Sequence, residues 1–454
     1  MTFAVAGRRE AAVAAKAKAL EAEFPRAGSI GTIVADAKDA ASLEAMCKRA
    51  HVVLACAGPF RFLGEPLVEA CAKTGCSYAD VTGEPEFSER IAHKHAEAAR
   101  RTGATLVTCA GFDSIPADMG LLHAKRAFLD RFGPGSLPTE VTSSLVLSAG
   151  PEGMAGNTAT YESAVHGFGS VSQLKSLRKA ASGGLPAWAL PGAVRPGPRM
   201  PVSSSLGREP AELGGKLTLP FPGSDASVVR RSQTDRWCAA ARAAGLGDGP
   251  ADAAAVARAL RSVPRDTVPV QHGCYVSLGS YWYAALTIIA GTVLATLAAW
   301  SWGRALLLAY PSLFSFGMFR KGGPTEEQKR GTSFAIHFVT RGFASEAAAG
   351  EALDAAAAAL VAKAEGRKAA RTRLPPCDST VVTTVRGPEP GYIATPIMVV
   401  ETGLCLLRAR RSGDKKKAGA VPAGVFTPAA ALADTDILDR LAARGIIFEV
   451  RADA

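Results

Sequence analysis

No two cysteines of this chain form a C-x-x-C pair, and no His or Cys spacing has the pattern of a metal site. Cys71 and Cys76 come nearest in the first half, and the total of nine is odd, so a disulfide framework is not expected. No charged and apolar leader follows Met1, which gives the expectation of reduced thiols in an intracellular protein. Cys56 and Cys109, at the ends of expected strands, read as small core residues rather than nucleophiles. A nucleophile elbow is missing, as is any Ser-Lys or Cys-His arrangement with supporting context, so covalent hydrolase chemistry is not expected. Aromatic residues make up only 7% of the chain and do not interleave with basic ones. Despite a net charge of +11, nucleic acid is therefore not an expected partner.

What is present is a large apolar inventory. At 454 residues and 48% hydrophobic content, the chain can bury the cores of two or three domains. Its dense basic clusters, Arg408 to Arg411 and Lys415 to Lys417, flank Ser412-Gly413-Asp414. They read as a solvated loop, with contact to anionic lipid as the other reading.

From Thr2 to Asp118 short apolar strands alternate with helices. Thr2 to Ala6, Ile30 to Ala35, His51 to Cys56, Ser77 to Val81 and Thr105 to Cys109 are the strands, with helices after each of the first four, including Gly64 to Thr74 and Pro85 to Arg101. This alternation predicts an α/β fold with a parallel, helix-covered sheet whose ligand lies beyond the carboxyl ends of the strands. In such a dinucleotide-binding, Rossmann-like sheet the strand before Thr2 should carry a Gly-rich phosphate turn, and only Met1 stands there. Past residue 134 the pattern changes. Val141 to Ser148, Val268 to Leu278, Thr332 to Arg341 and Thr380 to Arg386 predict a mixed or antiparallel sheet in an inserted α+β second domain, 135–391. Gly183 to Pro222 reads as irregular surface chain, and Ala344 to Arg367 as a helix.

Between Asp266 and Arg304 there is no charged side chain. Tyr281 to Trp302 is apolar and long enough to cross the ~30 Å hydrocarbon layer of a bilayer. Tyr281, Trp282 and Tyr283 stand at one end, and Trp300 and Trp302 at the other, as in an aromatic belt. A second apolar leg, Leu306 to Phe319, contains Pro311 and is closed by Arg320 and Lys321. One reading is a buried helical pair covering the second sheet. The other is an apolar hairpin, 281–319, lying in a membrane or a lipid-droplet monolayer. A single crossing conflicts with flanking strands that share one sheet.

Several turn sequences carry a family resemblance: Ala4-Val5-Ala6-Gly7-Arg8, Cys56-Ala57-Gly58-Pro59-Phe60, Asp80-Val81-Thr82-Gly83-Glu84-Pro85 and Gly111-Phe112-Asp113-Ser114-Ile115-Pro116-Ala117-Asp118. Further matches are Ser148-Ala149-Gly150-Pro151-Glu152-Gly153, Gly223-Ser224-Asp225, Gly391-Tyr392-Ile393-Ala394-Thr395-Pro396 and Gly424-Val425-Phe426-Thr427-Pro428. Over essentially its whole length the chain resembles the saccharopine dehydrogenase-like oxidoreductases, close to the trans-acting enoyl reductases of glycolipid synthesis. The resemblance implies a nicotinamide-binding Rossmann domain, here 1–134, an inserted second domain, and a C-terminal segment, 392–454, that returns to the first. It also implies association with lipid droplets or the cytoplasmic face of a membrane. The family's first strand and Gly-x-x-Gly-x-x-Gly turn have no counterpart, and Gly245 to Gly249 follows a helical stretch and is no substitute. The expectation is an in-frame strand upstream of Met1 rather than a real loss of cofactor binding.

Gly7 and Arg8 stand where NAD-preferring folds carry an acid, and a guanidinium there suits the 2'-phosphate of NADP. The alternative for Arg8 is a solvated position at a helix start. Asp36 either lies near the adenine or caps its helix. Ala57, Gly58, Pro59 and Phe60 form the turn on the nicotinamide side, with Gly58 allowing close approach and Pro59 stiffening it, unless it is a plain strand-to-helix turn. Glu65, Asp80, Glu84, Asp113 and Asp118 gather at the same strand ends as candidate proton donors, helix caps or ion-pair partners, and no catalytic residue is singled out. His93 and His95 read as surface residues. Three functions are carried forward: an NADP-dependent oxidoreductase acting on a lipid-linked enoyl or carbonyl substrate, a non-catalytic lipid-droplet protein that retains the fold, and saccharopine chemistry in lysine metabolism. Assembly as a homo-oligomer is left open.

Overall fold

The computed structural model describes residues 2–203, 205–249, 251–367, 374–411 and 421–451. The first part runs β1 (Ala4–Gly7), α1 (Glu10–Glu23), β2 (Gly31–Val34), α2 (Ala40–Lys48), β3 (Val52–Ala55), α3 (Phe60–Thr74), β4 (Ser77–Asp80), α4 (Pro85–Thr102), β5 (Thr105–Val107) and α5 (Ile115–Phe132). Asp39 starts α2 by accepting from the amides of Ala41 and Ser42, and left-handed Gly75 and Gly103 end α3 and α4. α3 begins four residues before the expected Gly64, directly after Pro59. Gly64 is required inside it for packing, because a Cβ there would sit 2.7 Å from Cζ of Phe87 on α4.

The second part continues with β6 (Leu137–Ser148), β7 (Gly156–Asn157), α6 (Thr158–Gly169), α7 (Val171–Ser182), β8 (Gly207–Arg208), β9 (Leu217–Pro220), α8 (Asp225–Ala243), α9 (Ala253–Ser262) and β10 (Gln271–Leu278). Then come α10 (Tyr281–Ala298), α11 (Ser301–Ala309), α12 (Pro311–Phe314), β11 (Phe319–Arg320), α13 (Glu326–Gly331), β12 (Ser333–Phe343), α14 (Glu346–Ala364) and β13 (Ser379–Pro388). The chain closes with α15 (Thr395–Arg411), β14 (Gly424–Phe426), α16 (Pro428–Leu432), α17 (Ile437–Ala442) and β15 (Ile447–Val450).

Seven strands form a mixed sheet in the order β15-β13-β12-β6-β10-β9-β8. β6 and β10 are parallel and the other pairs antiparallel. α5 lies flat on this sheet, and Gly120 permits the close approach, since a Cβ there would meet Phe338 at 2.5 Å. The parallel sheet is in two pieces. β14-β5-β4-β3 forms one, and β1-β2 the other. Among the described residues no strand pairing joins β1 to β3, and Phe3 and Val34 are left 55% and 51% exposed. From the C-terminal segment β14 pairs with β5, α15 packs on β3 and β4, and β15 joins the large sheet.

Local structure departs from the expected pattern in places: Cys56, just after β3, is exposed and not a core residue, whereas Cys109 is buried. The Gly- and Pro-rich stretch from Gly183 to Pro222 is not surface chain throughout: Trp188, Val194 and Met200 are buried, and β8 and β9 lie within it. Its composition precludes long regular elements, but isolated large apolar side chains still anchor it to the core. Arg408 to Arg411 end α15 rather than forming a loop, with Arg408 held 2.6 Å from Asp436, while Lys415 to Lys417 lie outside the described residues.

Candidate active site

The expected cofactor residues all stand at carboxyl ends of β1, β2 and β3. Gly7 ends β1, and the exposed Arg8 makes no hydrogen bond or ion pair among the described residues. Arg9 follows at the N-cap of α1, whose first turn has no side-chain cap. Asp36 is not the cap of its helix. It accepts from the Lys38 amide at 3.0 Å, and Asp39 caps instead. After β3, Ala57 and Gly58 are exposed and Pro59 is half-buried. Phe60 is buried with its ring centroid 6.1 Å from that of Phe87, which anchors the turn from below.

The carboxylates at the next strand ends divide by role. Asp80 is fully buried and accepts from Thr82 N (3.0 Å), Cys109 N (2.9 Å) and the Tyr78 hydroxyl (2.9 Å), so it ties the turns after β4 and β5 together. Glu65 faces away, to Arg90, Lys94 and His95 on α4. This contact leaves His95 half-buried rather than on the surface. Glu84 is buried against Arg61, 2.5 Å away, and Arg61 also donates to the His166 carbonyl and the Ser170 hydroxyl, both at 3.0 Å. The bond to the His166 carbonyl joins Arg61, in the first turn of α3, to α6 of the second part. Beside it Phe62 is 59% exposed and stands edge-on to His166, with centroids 5.2 Å apart.

Asp113 meets the start of α8. It accepts from the Ser224 amide at 3.3 Å, and Gly223 lets the backbone pass, because a Cβ there would lie 2.4 Å from Asp113 Oδ1. The next residue, Asp225, is buried with Oδ1 unpartnered. Its carboxyl is held well above the usual range by burial and then by the charges of Asp113 and Asp118. Burial pushes Asp113 up to about 6 despite the Ser224 bonds. Asp118 is pushed to about 7, again by burial, although Ser232 and the Ala429 amide donate to it at 2.6 and 2.8 Å. Three carboxyls with raised affinity for protons thus come together around α5 and α8, and groups so shifted are candidates to hold and deliver a proton. Asp113 and Asp118 are legible in the sequence as candidate proton donors, whereas Asp225 is not. Its only signal was the Gly223-Ser224-Asp225 match, since Asp113 and Ser224 are 111 residues apart.

On the far side of α6 lie the apolar helices. Tyr161 and Val165 of α6 form a small core with Ala298 and Leu307. α10 turns into α11 at Ala299 and Trp300, and Gly303 in the first turn of α11 packs against the end of α10, where a Cβ would lie 2.1 Å from the Leu297 carbonyl oxygen. Outward from this core Tyr281, Trp282, Tyr283, Ile289, Trp300, Trp302, Tyr310, Leu313 and Phe316 are all more than half exposed. α10 is long and apolar enough to cross a membrane, with 11% of its residues buried. The stretch Pro390–Arg410 passes the same test of length and composition, but its Met398, Val399, Cys405 and Leu406 are buried in the core. The strands flanking the hairpin, β10 and β12, both pair with β6.

Parallel strands alternating with helices, with Arg8 and Arg9 exposed at the carboxyl end of β1, form a Rossmann-like dinucleotide-binding fold beside a larger mixed sheet. Residues 2–107 match the saccharopine dehydrogenase NADP binding domain family. A saccharopine dehydrogenase-like oxidoreductase of Rattus norvegicus is 33% identical, over 99% of this chain and 90% of that protein. The chain belongs to the saccharopine dehydrogenase-like oxidoreductase family, and NADP is the cofactor of its first domain. A lipid droplet localized protein of Caenorhabditis elegans is 29% identical over 100% of this chain and 92% of its own length. A trans-acting enoyl reductase of Mycobacterium leprae is 44% identical over 110 residues, 24% of this chain and 26% of that protein.

Proposed function

We propose that this chain is an NADP-dependent reductase working at a membrane or lipid-droplet surface inside the cell, on a lipid-linked enoyl or carbonyl substrate. In this reading residues 1–134 hold the cofactor, 135–391 present the substrate, and 392–454 close back on the first domain. Arg8, with Arg9 beside it, takes the 2'-phosphate, for which two unpaired guanidiniums at an uncapped helix start are chemically suited. Asp36 lies by the adenosine, and Ala57 to Phe60 offer backbone to the nicotinamide end. NADPH supplies the hydride. The protein's own part is to orient, to exclude water and to hold a proton, and the Asp113, Asp118 and Asp225 group suits the last of these.

The observation that carries the reading is the joint at Arg61. Through it, the start of α3, directly after the turn expected to face the nicotinamide, is bonded to α6, and α6 is the helix on which the exposed aromatic hairpin rests. A substrate chain leaving a lipid layer along that hairpin meets exposed Phe62 before the crevice. The names of the droplet-localized and enoyl reductase relatives support the lipid assignment. Saccharopine chemistry is disfavoured, because an amino-acid substrate gives the hairpin no role. Fractionation of cells expressing the intact chain tests the location: recovery with membranes or droplets is expected, and a fully soluble intact chain contradicts it. Untargeted lipid comparison after gene deletion identifies the substrate class, with an accumulating unsaturated or carbonyl lipid as the expected result.

A second reading, a droplet protein that keeps the fold without turnover, is favoured by the Caenorhabditis elegans relative, whose name gives a location and no activity. Cofactor titration separates the two readings.

A further inference from the structure

Cys47, Cys71 and Cys76 take no part in the site described above. Cys47 lies on α2, Cys71 on α3 and Cys76 in the turn entering β4, and each is at most 2% exposed. Their sulfurs all lie within 4.8 Å of one another, those of Cys47 and Cys71 3.5 Å apart. Sulfurs sharing one ion at metal–sulfur bonds of about 2.3 Å stand about 4 Å apart in a trigonal plane. The three side chains therefore surround a point that one ion can occupy with little movement. No His or carboxylate among the described residues joins the group.

We propose that Cys47, Cys71 and Cys76 form an all-sulfur, three-coordinate site for a soft monovalent cation, Cu(I). Zinc asks for a fourth ligand, and neither a protein donor nor open solvent is at hand here. Cu(I) is a soft ion selected by thiolates, and three sulfurs satisfy it. The electrostatics are compatible. The Arg410 guanidinium, bonded to the Gly75 carbonyl, sits close enough to Cys76 to offset thiolate charge. On binding, the remaining S–H protons leave to solvent and no electron changes hands. Entry requires α2 to part from α3. Outside the buried contact the ionic link holding them is Lys73, 3.8 Å from Glu44 of α2 and 2.7 Å from Glu69 of its own helix. Such an exposed link contributes little, so the opening is local.

The test uses the full chain with Cys56→Ser, which removes the exposed thiol, under anaerobic conditions with ascorbate and bathocuproine disulfonate as competing chelator. One Cu(I) per chain is expected, with three sulfur neighbours by X-ray absorption. Cys47→Ser and Cys76→Ser should each weaken binding at least 100-fold, and Cys405→Ser, a buried thiol elsewhere, should leave it unchanged. Cu(I) should also raise the melting temperature of the parent chain, and Zn(II) should not. Binding retained in the Cys47 and Cys76 variants, a preference for Zn(II), or fewer than three sulfur neighbours overturns the proposal. If the variants do not fold, the sulfur count in the parent chain decides.

Discussion

Replacing Trp282, Trp300 and Trp302 with serine removes the three largest exposed side chains of the hairpin, which are 76%, 59% and 61% exposed. Because they project outward, their loss costs the folded state little. Their contribution to lipid binding is large. A fully covered tryptophan buries roughly 200 Å², so insertion would remove on the order of 120 Å² per ring from water. At about 25 cal/mol per Å² this is ~3 kcal/mol each and ~9 kcal/mol for the three. Interfacial rings are covered only in part, and half of that sum still corresponds to about a 1000-fold change in partitioning. Flotation with phosphatidylcholine vesicles and with triacylglycerol emulsions measures it, with circular dichroism confirming that the fold is unchanged. Flotation of the triple variant within threefold of the parent chain would refute the assignment of this face to lipid.

Other consequences concern the cofactor and the joint. Arg8→Glu should weaken NADPH binding at least tenfold, as loss of a charge-assisted phosphate contact of ~1.5–3 kcal/mol requires, and leave NADH unaffected; equal effects on both cofactors would remove Arg8 from the 2'-phosphate. Arg61→Ala leaves Glu84 buried without its partner and should cost about 3–5 kcal/mol in denaturant unfolding, partly recovered in Arg61→Leu with Glu84→Leu; a loss under 1 kcal/mol contradicts the buried joint. Asp118 is pushed up to about 7, above the ~4 of an unfolded aspartate, so the folded state holds its proton longer. Its contribution is then fully present below about pH 4 and is lost as pH rises through 7. Asp118→Asn should flatten that decline in denaturation curves between pH 5 and 7.5, and an unchanged slope counts against it.

The strands of the first part were legible because each is a short apolar run ended by a turn, so the positions of Gly7, Arg8, Asp36 and Ala57 to Phe60 at strand ends follow from local pattern alone. The hairpin was legible from the absence of charge, and its attachment within one sheet from the strands flanking it. What sequence could not supply was juxtaposition over long separations. Asp225 reaches Asp113 from the start of α8, Arg61 finds the carbonyl of His166, and Cys47 joins Cys71 and Cys76 although no spacing rule links them. Nor does composition report burial residue by residue. Trp188 sits in a Gly- and Pro-rich stretch that reads as surface, and its side chain is nonetheless buried beside Trp237.

Titration of the vesicle-bound full chain with NADPH, followed by nucleotide fluorescence, bears most directly on the claim of a cofactor crevice beside a lipid-seated hairpin. Saturable binding at micromolar NADPH or below, with NADH at least tenfold weaker, is the predicted result. An absence of saturable binding up to millimolar NADPH contradicts it and leaves the non-catalytic droplet protein standing.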